Sequence, residues 1–281
     1  MLYHPAEIAD EPELIMTTTT HESGRNYGAL LDWSLTSDDY IRHRPGYPDD
    51  YFHHLQHFGI GLAGQQILDL GAGTGNLSIP FARQGAYVTA VDLSQGQIDA
   101  ARERAEGEKL SLRFIISGAE DAPVEEAHFD AVSASMCWGY FDTSRIVDKV
   151  RKVLRPDGLL MISSIIWLSN DNDITRRTEE IVARHNEHFT TRGSIRDSPV
   201  IPDWSANTFQ LKTYHQYIAP LTFTRESWRG RLRASKWIGA ALSLEKAEAF
   251  DIELAEVLEI IAPEQFEINH TIRIQVFQVS A

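Results

Sequence analysis

The chain reads as an α/β protein: a seven-stranded sheet, its strands mostly parallel with an antiparallel last strand, helices on both faces and a helical lid. Three observations predict this. Between about residues 48 and 166, short apolar runs alternate with segments of helical period, the pattern of parallel strands joined by crossover helices. A glycine-rich turn, Gly71-Ala72-Gly73-Thr74-Gly75, parts the first strand of that series from its first helix. Near the end the period drops to two: Phe266, Ile268, His270, Ile272, Ile274 and Val276 alternate with Glu267, Asn269, Thr271, Arg273 and Gln275, as expected of a late antiparallel strand.

In order, residues 66–70 predict the first strand, 76–84 a helix, 86–92 the second strand and 95–106 a second helix. Residues 112–117 and 129–134 predict strands three and four. Ile146, Val147, Val150, Val153 and Leu154 then mark one helix face, which stops at the turn signal Arg155-Pro156-Asp157-Gly158. The wholly apolar run 159–166 follows as a buried fifth strand. Residues 169–210 are polar, with one clear helical stretch at 174–188, and read as an insertion. Residues 211–222 suit a sixth strand, and 225–238 and 244–261 two helices, the latter with Ala247, Phe250, Leu254, Val257, Leu258 and Ile261 on one face.

At 281 residues the chain has room for one large domain or two small ones. Lys and Arg total 26 against 40 Asp and Glu, a formal charge of −14 that repels a phosphate backbone and argues against nucleic acid as a partner. Hydrophobic residues at 43% and charged residues at 23% exclude wholesale disorder. A single cysteine, Cys137, excludes an internal disulfide framework and fits a reducing compartment, so the expected location is the cytoplasm. The most apolar stretch, 159–168, is half of the ~20 residues that span a bilayer, and no membrane partner is expected. Residues 1–24 carry no secretory signal pattern and read as loose or draped over the domain.

The informative segment is Ile67-Leu68-Asp69-Leu70-Gly71-Ala72-Gly73-Thr74-Gly75-Asn76, an apolar strand entering a glycine turn. Glycines there permit positive φ and close backbone approach to a ligand, and the helix start that follows favours a negative group. The spacing is neither the Gly-x-Gly-x-x-Gly of dinucleotide sites nor a triphosphate loop with its Gly-Lys-Ser/Thr. Seventeen residues after Gly75, the second strand ends in Asp92, whose carboxylate can accept both hydroxyls of a ribose. The third strand runs into Ser117-Gly118-Ala119-Glu120-Asp121, which suits an adenine. Three consecutive strand tips thus form one nucleoside groove, because ligands of open α/β sheets sit beyond the carboxyl ends of the strands.

At this point the sequence resembles the class I S-adenosylmethionine-dependent methyltransferases, in which Asp-Leu-Gly-x-Gly-x-Gly and an acid ending strand two are the characteristic pair. The resemblance covers about residues 38 to 281 and implies a Rossmann-like sheet. It extends to Tyr40-Ile41-Arg42-His43-Arg44-Pro45-Gly46-Tyr47-Pro48, similar to the entrance of a small-molecule subgroup, to Cys137-Trp138-Gly139-Tyr140-Phe141-Asp142, and to residues 224–234. It implies S-adenosylmethionine as cofactor, with Gly71, Gly73 and Gly75 against its methionine part, Asp92 on the ribose, Ala119 and Glu120 beside the adenine, and Thr74 and Leu93 also among the cofactor-binding residues. Asp69 would orient the loop and the amino group, Tyr40 and Arg44 would close over the cofactor, and Met136 and Cys137 would border the sulfonium. Where subgroup members carry Trp-His-Trp-Phe-Asp, this chain has Trp138-Gly139-Tyr140-Phe141-Asp142, so a catalytic role borrowed from that histidine does not transfer. The implied layout is an N-terminal extension at 1–37, partly flexible, a cofactor-binding core with its entrance segment at 38–168, and a lid insertion with C-terminal strands and helices completing the same domain at 169–281.

Other groupings carry less. His53 and His57 stand at i, i+4 spacing but lack the glutamate of a His-Glu-x-x-His site, so a solvated helix face is preferred and no metal is expected. Cys137 reads as a small hydrophobe rather than a nucleophile. Arg225, Arg229, Arg231, Arg233 and Lys236 form either a solvated basic face or a lid that offers an arginine to an anionic substrate. Trp167, Trp204 and Tyr214 read as core more readily than as a cage around the methyl group. The expected activity is methyl transfer to a small molecule, with Tyr140 as the candidate group beside the methyl. The alternatives are an enzyme that cyclises or cleaves S-adenosylmethionine to release methylthioadenosine, and a binding module that senses the cofactor.

Overall fold

In the computed structural model, which describes residues 37–43, 46–169, 171–189, 201–206 and 208–280, the apolar runs of the sequence become one seven-stranded sheet. The chain order is α1 (Ser37–His43), α2 (Asp49–His57), β1 (Gln66–Leu70), α3 (Ser78–Arg83), β2 (Tyr87–Asp92), α4 (Gln95–Gly107), β3 (Arg113–Ile116), β4 (Phe129–Ser135), α5 (Thr143–Val153), β5 (Leu154–Trp167), α6 (Asp173–His185), β6 (Phe209–Thr224), α7 (Arg225–Arg233), α8 (Leu244–Ile261) and β7 (Gln265–Val279). Across the sheet the order is β3-β2-β1-β4-β5-β7-β6, with β7 antiparallel to both neighbours and the other pairs parallel. This is the Rossmann-like arrangement. The strand order reverses between β1 and β4, and a crevice opens beyond their carboxyl ends.

The two-residue period of the strands sorts side chains onto two faces. Leu68, Leu70, Val132, Ala134, Leu160 and Ile162 pack on one face with Ile146 and Val150 of α5. Ile67, Ala131, Met161, Ile165 and Trp167 pack on the other, beneath α2, α3 and α6–α8. By the same alternation Asp69, Ser133, Ser135 and Ser163 fall on this second face, and registry places Asp69 beside Ser133 and Ser135 beside Ser163. A polar seam therefore crosses an otherwise apolar core. Helix starts follow the expected side-chain capping: Ser94, Asp142, Asn172, Thr224 and Ser243 each accept a backbone N–H of the first turn.

Several boundaries differ from expectation. The predicted turn at 155–158 lies inside β5: Leu154 still pairs with Phe129, pairing shifts, and Leu159 resumes opposite Ala131, with Asp157 at φ +63° and Arg155 tied to Asp130. The predicted helix 225–238 stops at Arg233, after which residues 234–242 continue in turns, with Asn186 Nδ2 donating to the Trp237 carbonyl. The period-two pattern of β7 holds to Ile274, after which Gln275, Val276 and Phe277 are all buried, because β7 lies between β5 and β6 rather than at an edge. The expected N-terminal extension, up to residue 36, and much of the insertion, 190–200, lie outside the described residues.

Helix α1 is held on α7 by charge and by one missing side chain. Arg233 donates to Asp39 at 2.9 Å through both Nε and Nη2, and also to Glu226 and Asp251, while His43 lies 3.6 Å from Asp39. Gly230 faces His43 so closely that a Cβ there would lie 2.1 Å from the His43 Cδ2 and 2.3 Å from its Cγ. Gly230→Ala is therefore expected to cost about 1–3 kcal/mol by overpacking. His43→Ala in the same chain should restore most of it in urea unfolding; no restoration would show that the helix contact is not the cause.

Candidate functional site

The glycine turn sits at the carboxyl end of β1 with Gly71, Gly73 and Gly75 at φ +64°, +56° and +82°, conformations that L side chains rarely adopt. Gly71 has no room for a side chain either: a Cβ there would lie 2.8 Å from the Cβ and Sγ of Cys137. The loop is braced from two sides. Asp92, at the tip of β2, accepts the Gly73 N–H on one oxygen and the Ser94 N–H on the other, each at 2.9 Å. Arg104 of α4 donates to the Thr74 carbonyl at 2.6 Å and to Asn76 Oδ1 at 2.9 Å. Each Asp92 oxygen keeps a second lone pair for a ligand hydroxyl.

Asp69, at the end of β1, is buried and accepts from Ser78 Oγ at 2.5 Å and Ser133 Oγ at 2.7 Å. Burial nevertheless pushes its carboxyl up to about 6, and the charge of nearby Asp92 adds to the rise. Burial raises Asp92 as well, against the lowering effect of its amide donors. Among the described residues, neither carboxylate has a Lys or Arg ion-pair partner. Two carboxylates, one buried and one half-buried, with no such partner favour a cationic ligand in the crevice. Beside it, Leu93 is 69% and Ile116 44% exposed, an apolar shelf at the tips of β2 and β3.

An open cavity runs from this crevice toward α7, with Asp69, Gly71, Tyr47, Ser135, Met136 and Arg231 in its wall. Along the polar seam Tyr47 donates to Ser135 Oγ at 2.6 Å, Ser163 donates to Ser135 Oγ at 2.7 Å, and the buried Tyr51 hydroxyl meets Ser163 Oγ at 2.6 Å. With Tyr51 donating to Ser163, three hydroxyls feed inward and Ser135 keeps its own proton for the cavity. The rings of Tyr47 and Tyr51 stack at 4.5 Å, which fixes both phenols. Met136 holds φ +63°, a left-handed backbone for a residue with a Cβ, and is locked there by its N–H to the Ser163 carbonyl and by the Ile165 N–H to its sulfur.

The residues singled out in the sequence are distributed as follows. Asp69, Gly71 and Met136 meet in the cavity wall, and Gly73 and Asp92 are joined by a hydrogen bond. Thr74 is buried under Arg104. Ala119 is buried, and Glu120 Oε1 accepts the Asp142 N–H at 2.8 Å, so this carboxylate ties the β3 tip to the segment after β4. Cys137 packs behind Gly71 with its Sγ donating to the Leu70 carbonyl, and burial holds its thiol well above the ordinary range. Tyr140 lies on a short 3-10 turn, Trp138–Tyr140, and is not among the residues lining the cavity. Arg44 and the side chain of Tyr40 lie outside the described residues.

His53 and His57 are exposed, while His54 packs against His215 with ring centroids 4.3 Å apart and the planes tilted by 46°. Among the described residues no cluster of three or more His, Cys, Asp or Glu could hold a metal, and no helix is long and apolar enough to cross a membrane. Trp204 packs on Trp138 and Phe277, Trp167 is buried against Trp228, and Tyr214 donates to Gln216. Sequence reasoning missed the seam of Tyr51, Ser133, Ser135 and Ser163. Serines inside apolar strands were a visible signal, but the registry that joins them was not. It also missed Arg104, whose helix position carries no sign of the loop it braces.

A family model described as a methyltransferase domain matches residues 67–158. An uncharacterized methyltransferase of Mycobacterium tuberculosis is 31% identical over 190 residues, which cover 67% of this chain and 69% of that protein. A demethylmenaquinone methyltransferase of Clavibacter sepedonicus is 36% identical over 102 residues, 36% of this chain and 41% of that one. A solved structure described as a type II methyltransferase from Anaeromyxobacter dehalogenans superposes with a TM-score of 0.57 at 20% identity, covering 84% of this chain and 97% of its own, and so attests the fold.

Proposed function

Because the chain belongs to the class I S-adenosylmethionine-dependent methyltransferases, we propose that it transfers the methyl group of that cofactor in line to a small, compact anionic molecule in the cytoplasm. One observation carries the reading: a crevice with a buried carboxylate, Asp69, and a half-buried one, Asp92, opens into a cavity that has both hydroxyl and apolar walls. The residues fit the cofactor. Asp69 and Asp92 lack a cationic partner among the described residues, and a ligand with sulfonium and ammonium charges supplies one. Asp92 would hold the ribose on its remaining lone pairs, Leu93 would cover the adenine side, and the glycine turn would admit the methionine part. Bound there, S-adenosylmethionine supplies an electrophilic methyl carbon. The acidic net charge of −14 favours a compact anion over a polyanion.

The chain's own contribution is position and dryness. The acceptor lies between Tyr47, Ser135 and the apolar Ile165 and Leu221, all in one cavity wall. Tyr47 spends its proton on Ser135, so its oxygen accepts a hydrogen bond from the acceptor and aims the lone pair that attacks. Tyr47→Phe is expected to lower kcat about 10- to 100-fold, the effect of losing one or two hydrogen bonds made to the reacting group, with cofactor affinity unchanged. An equal loss of cofactor affinity would instead place Tyr47 at the cofactor.

Chromatography of products after incubation with S-adenosylmethionine tests the activity itself. Adenosylhomocysteine formed only with an added acceptor supports transfer. Methylthioadenosine formed without one would replace it with cyclisation or cleavage, and tight binding without turnover would replace it with a sensor.

A further inference from the structure

We propose that Asn76 recognises the carboxylate of the cofactor and that Arg104 positions it for that task. This rests on the methyltransferase reading and names the side chain that distinguishes the cofactor from an analogue without its carboxylate. The amino acid end of the cofactor carries opposite charges on one carbon, and the acids of the crevice suit only one of them. Asp69 and Asp92 favour the ammonium and repel the carboxylate beside it. Holding that carboxylate calls for a donor close to Asp69. Asn76 is in that place: it stands in the cavity wall with Asp69, Gly71 and Ala72, two residues before Ser78, whose hydroxyl donates to Asp69 at 2.5 Å.

The partner of the Asn76 amide settles its orientation. A single nitrogen of Arg104, Nη1, donates to the Thr74 carbonyl at 2.6 Å and to Asn76 Oδ1 at 2.9 Å. A guanidinium donates and never accepts, so the amide must present its oxygen there; the reverse orientation would set N–H against N–H. Both N–H groups of Nδ2 are thereby turned away from Arg104, and among the described residues no hydrogen bond takes them up. They are left for the cavity that Asn76 lines. Arg104 reaches the loop from α4, and its bond to the carbonyl of the buried Thr74 fixes the guanidinium independently of Asn76. The amide is therefore ordered before a ligand arrives. A neutral donor also suits this position better than a cation would. It gives the carboxylate charge-assisted hydrogen bonds without pairing with Asp69 and cancelling the charge that draws the ammonium.

Calorimetry with adenosylhomocysteine and with decarboxylated adenosylhomocysteine, which keeps the adenosine, the thioether and the amine, tests this. The wild type is expected to bind adenosylhomocysteine about tenfold or more tightly, against the order that the charge of the crevice alone would give. Asn76→Leu should remove most of that preference while affinity for the decarboxylated ligand stays within about twofold, which also reports that the variant is folded. Asn76→Asp keeps an oxygen for Arg104 but brings a negative charge and no donor to the ligand, so it should reverse the order. Arg104→Met, which frees the amide to turn, should reduce the preference by a smaller factor, and should reduce it no further once Asn76→Leu is present. A preference that survives both Asn76 variants overturns the proposal and places the carboxylate elsewhere in the wall. An Arg104→Met protein that loses affinity for both ligands equally overturns the positioning role and leaves Arg104 a brace of the loop alone. A wild type that binds adenosylhomocysteine without preferring it overturns the proposal but not the cofactor reading. Failure of the wild type to bind either ligand overturns the cofactor reading itself and this one with it.

Discussion

Asp92→Asn is expected to weaken adenosylhomocysteine binding about a hundredfold in calorimetry. The carboxylate does two things at once: it accepts the amides of Gly73 and Ser94, and it offers its remaining lone pairs to the ribose. An amide side chain must turn its NH₂ toward one of those backbone N–H groups, so one donor faces another and the loop loses a brace. Hydrogen bonds to a charged acceptor contribute roughly 1.5–3 kcal/mol each, and losing one brace and one ribose contact amounts to about 3 kcal/mol, or a hundredfold in Kd. Asp92→Glu keeps the charge and moves it by one methylene, so it should bind better than the amide but below the wild type. Unchanged affinity in Asp92→Asn would remove the β2 tip from the site.

Cofactor affinity is also expected to rise about tenfold between pH 5 and pH 7 and then level off, with Asp69 as the titrating group. Its carboxyl is pushed up to about 6 by burial, above the roughly 3.9 of an unfolded aspartate. Between those values the folded protein holds a proton that the unfolded chain has released, so this group's contribution to stability falls as pH rises through the window. Cofactor binding has the opposite sign, since a cationic ligand favours the ionised carboxylate and gains as the proton leaves. Asp69→Asn accepts from one of the two serine hydroxyls and turns its NH₂ to the other, whose rotatable hydroxyl can accept, but it cannot ionise, so its affinity should be low and flat with pH. A wild-type affinity that is itself flat from pH 5 to pH 7 would show that Asp69 does not face the ligand's charge.

Much of this was legible because it is local. The first strand and the last helix fall at the expected residues, Gln66–Leu70 and Leu244–Ile261, since an apolar run before glycines and a long one-sided apolar stripe leave little choice. The glycine turn and the acid at the tip of β2 were equally plain, because positive φ and a strand-end carboxylate are written in residue type and spacing. The hydroxyl seam was not. Ser133, Ser135 and Ser163 lie on different strands, and only the pairing of β1 with β4 and of β4 with β5 brings them beside Asp69 and Tyr51.

The lid shows the same division at a single helix. From sequence alone, α7 carries a row of equivalent cations with Trp228 and Leu232 on one stripe. The sequence by itself determined the α/β alternation, the glycine turn and Asp92, because each depends on the conformational limits of a few adjacent residues. Only the tertiary structure decided the surroundings of those cations: Arg225, Arg229 and Arg233 pair with carboxylates of α1 and α8, whereas Arg231 is buried beside Trp167 and Trp228. The physical reason is that burial and partnership are properties of surfaces brought together from far along the chain, and residue spacing carries no record of them.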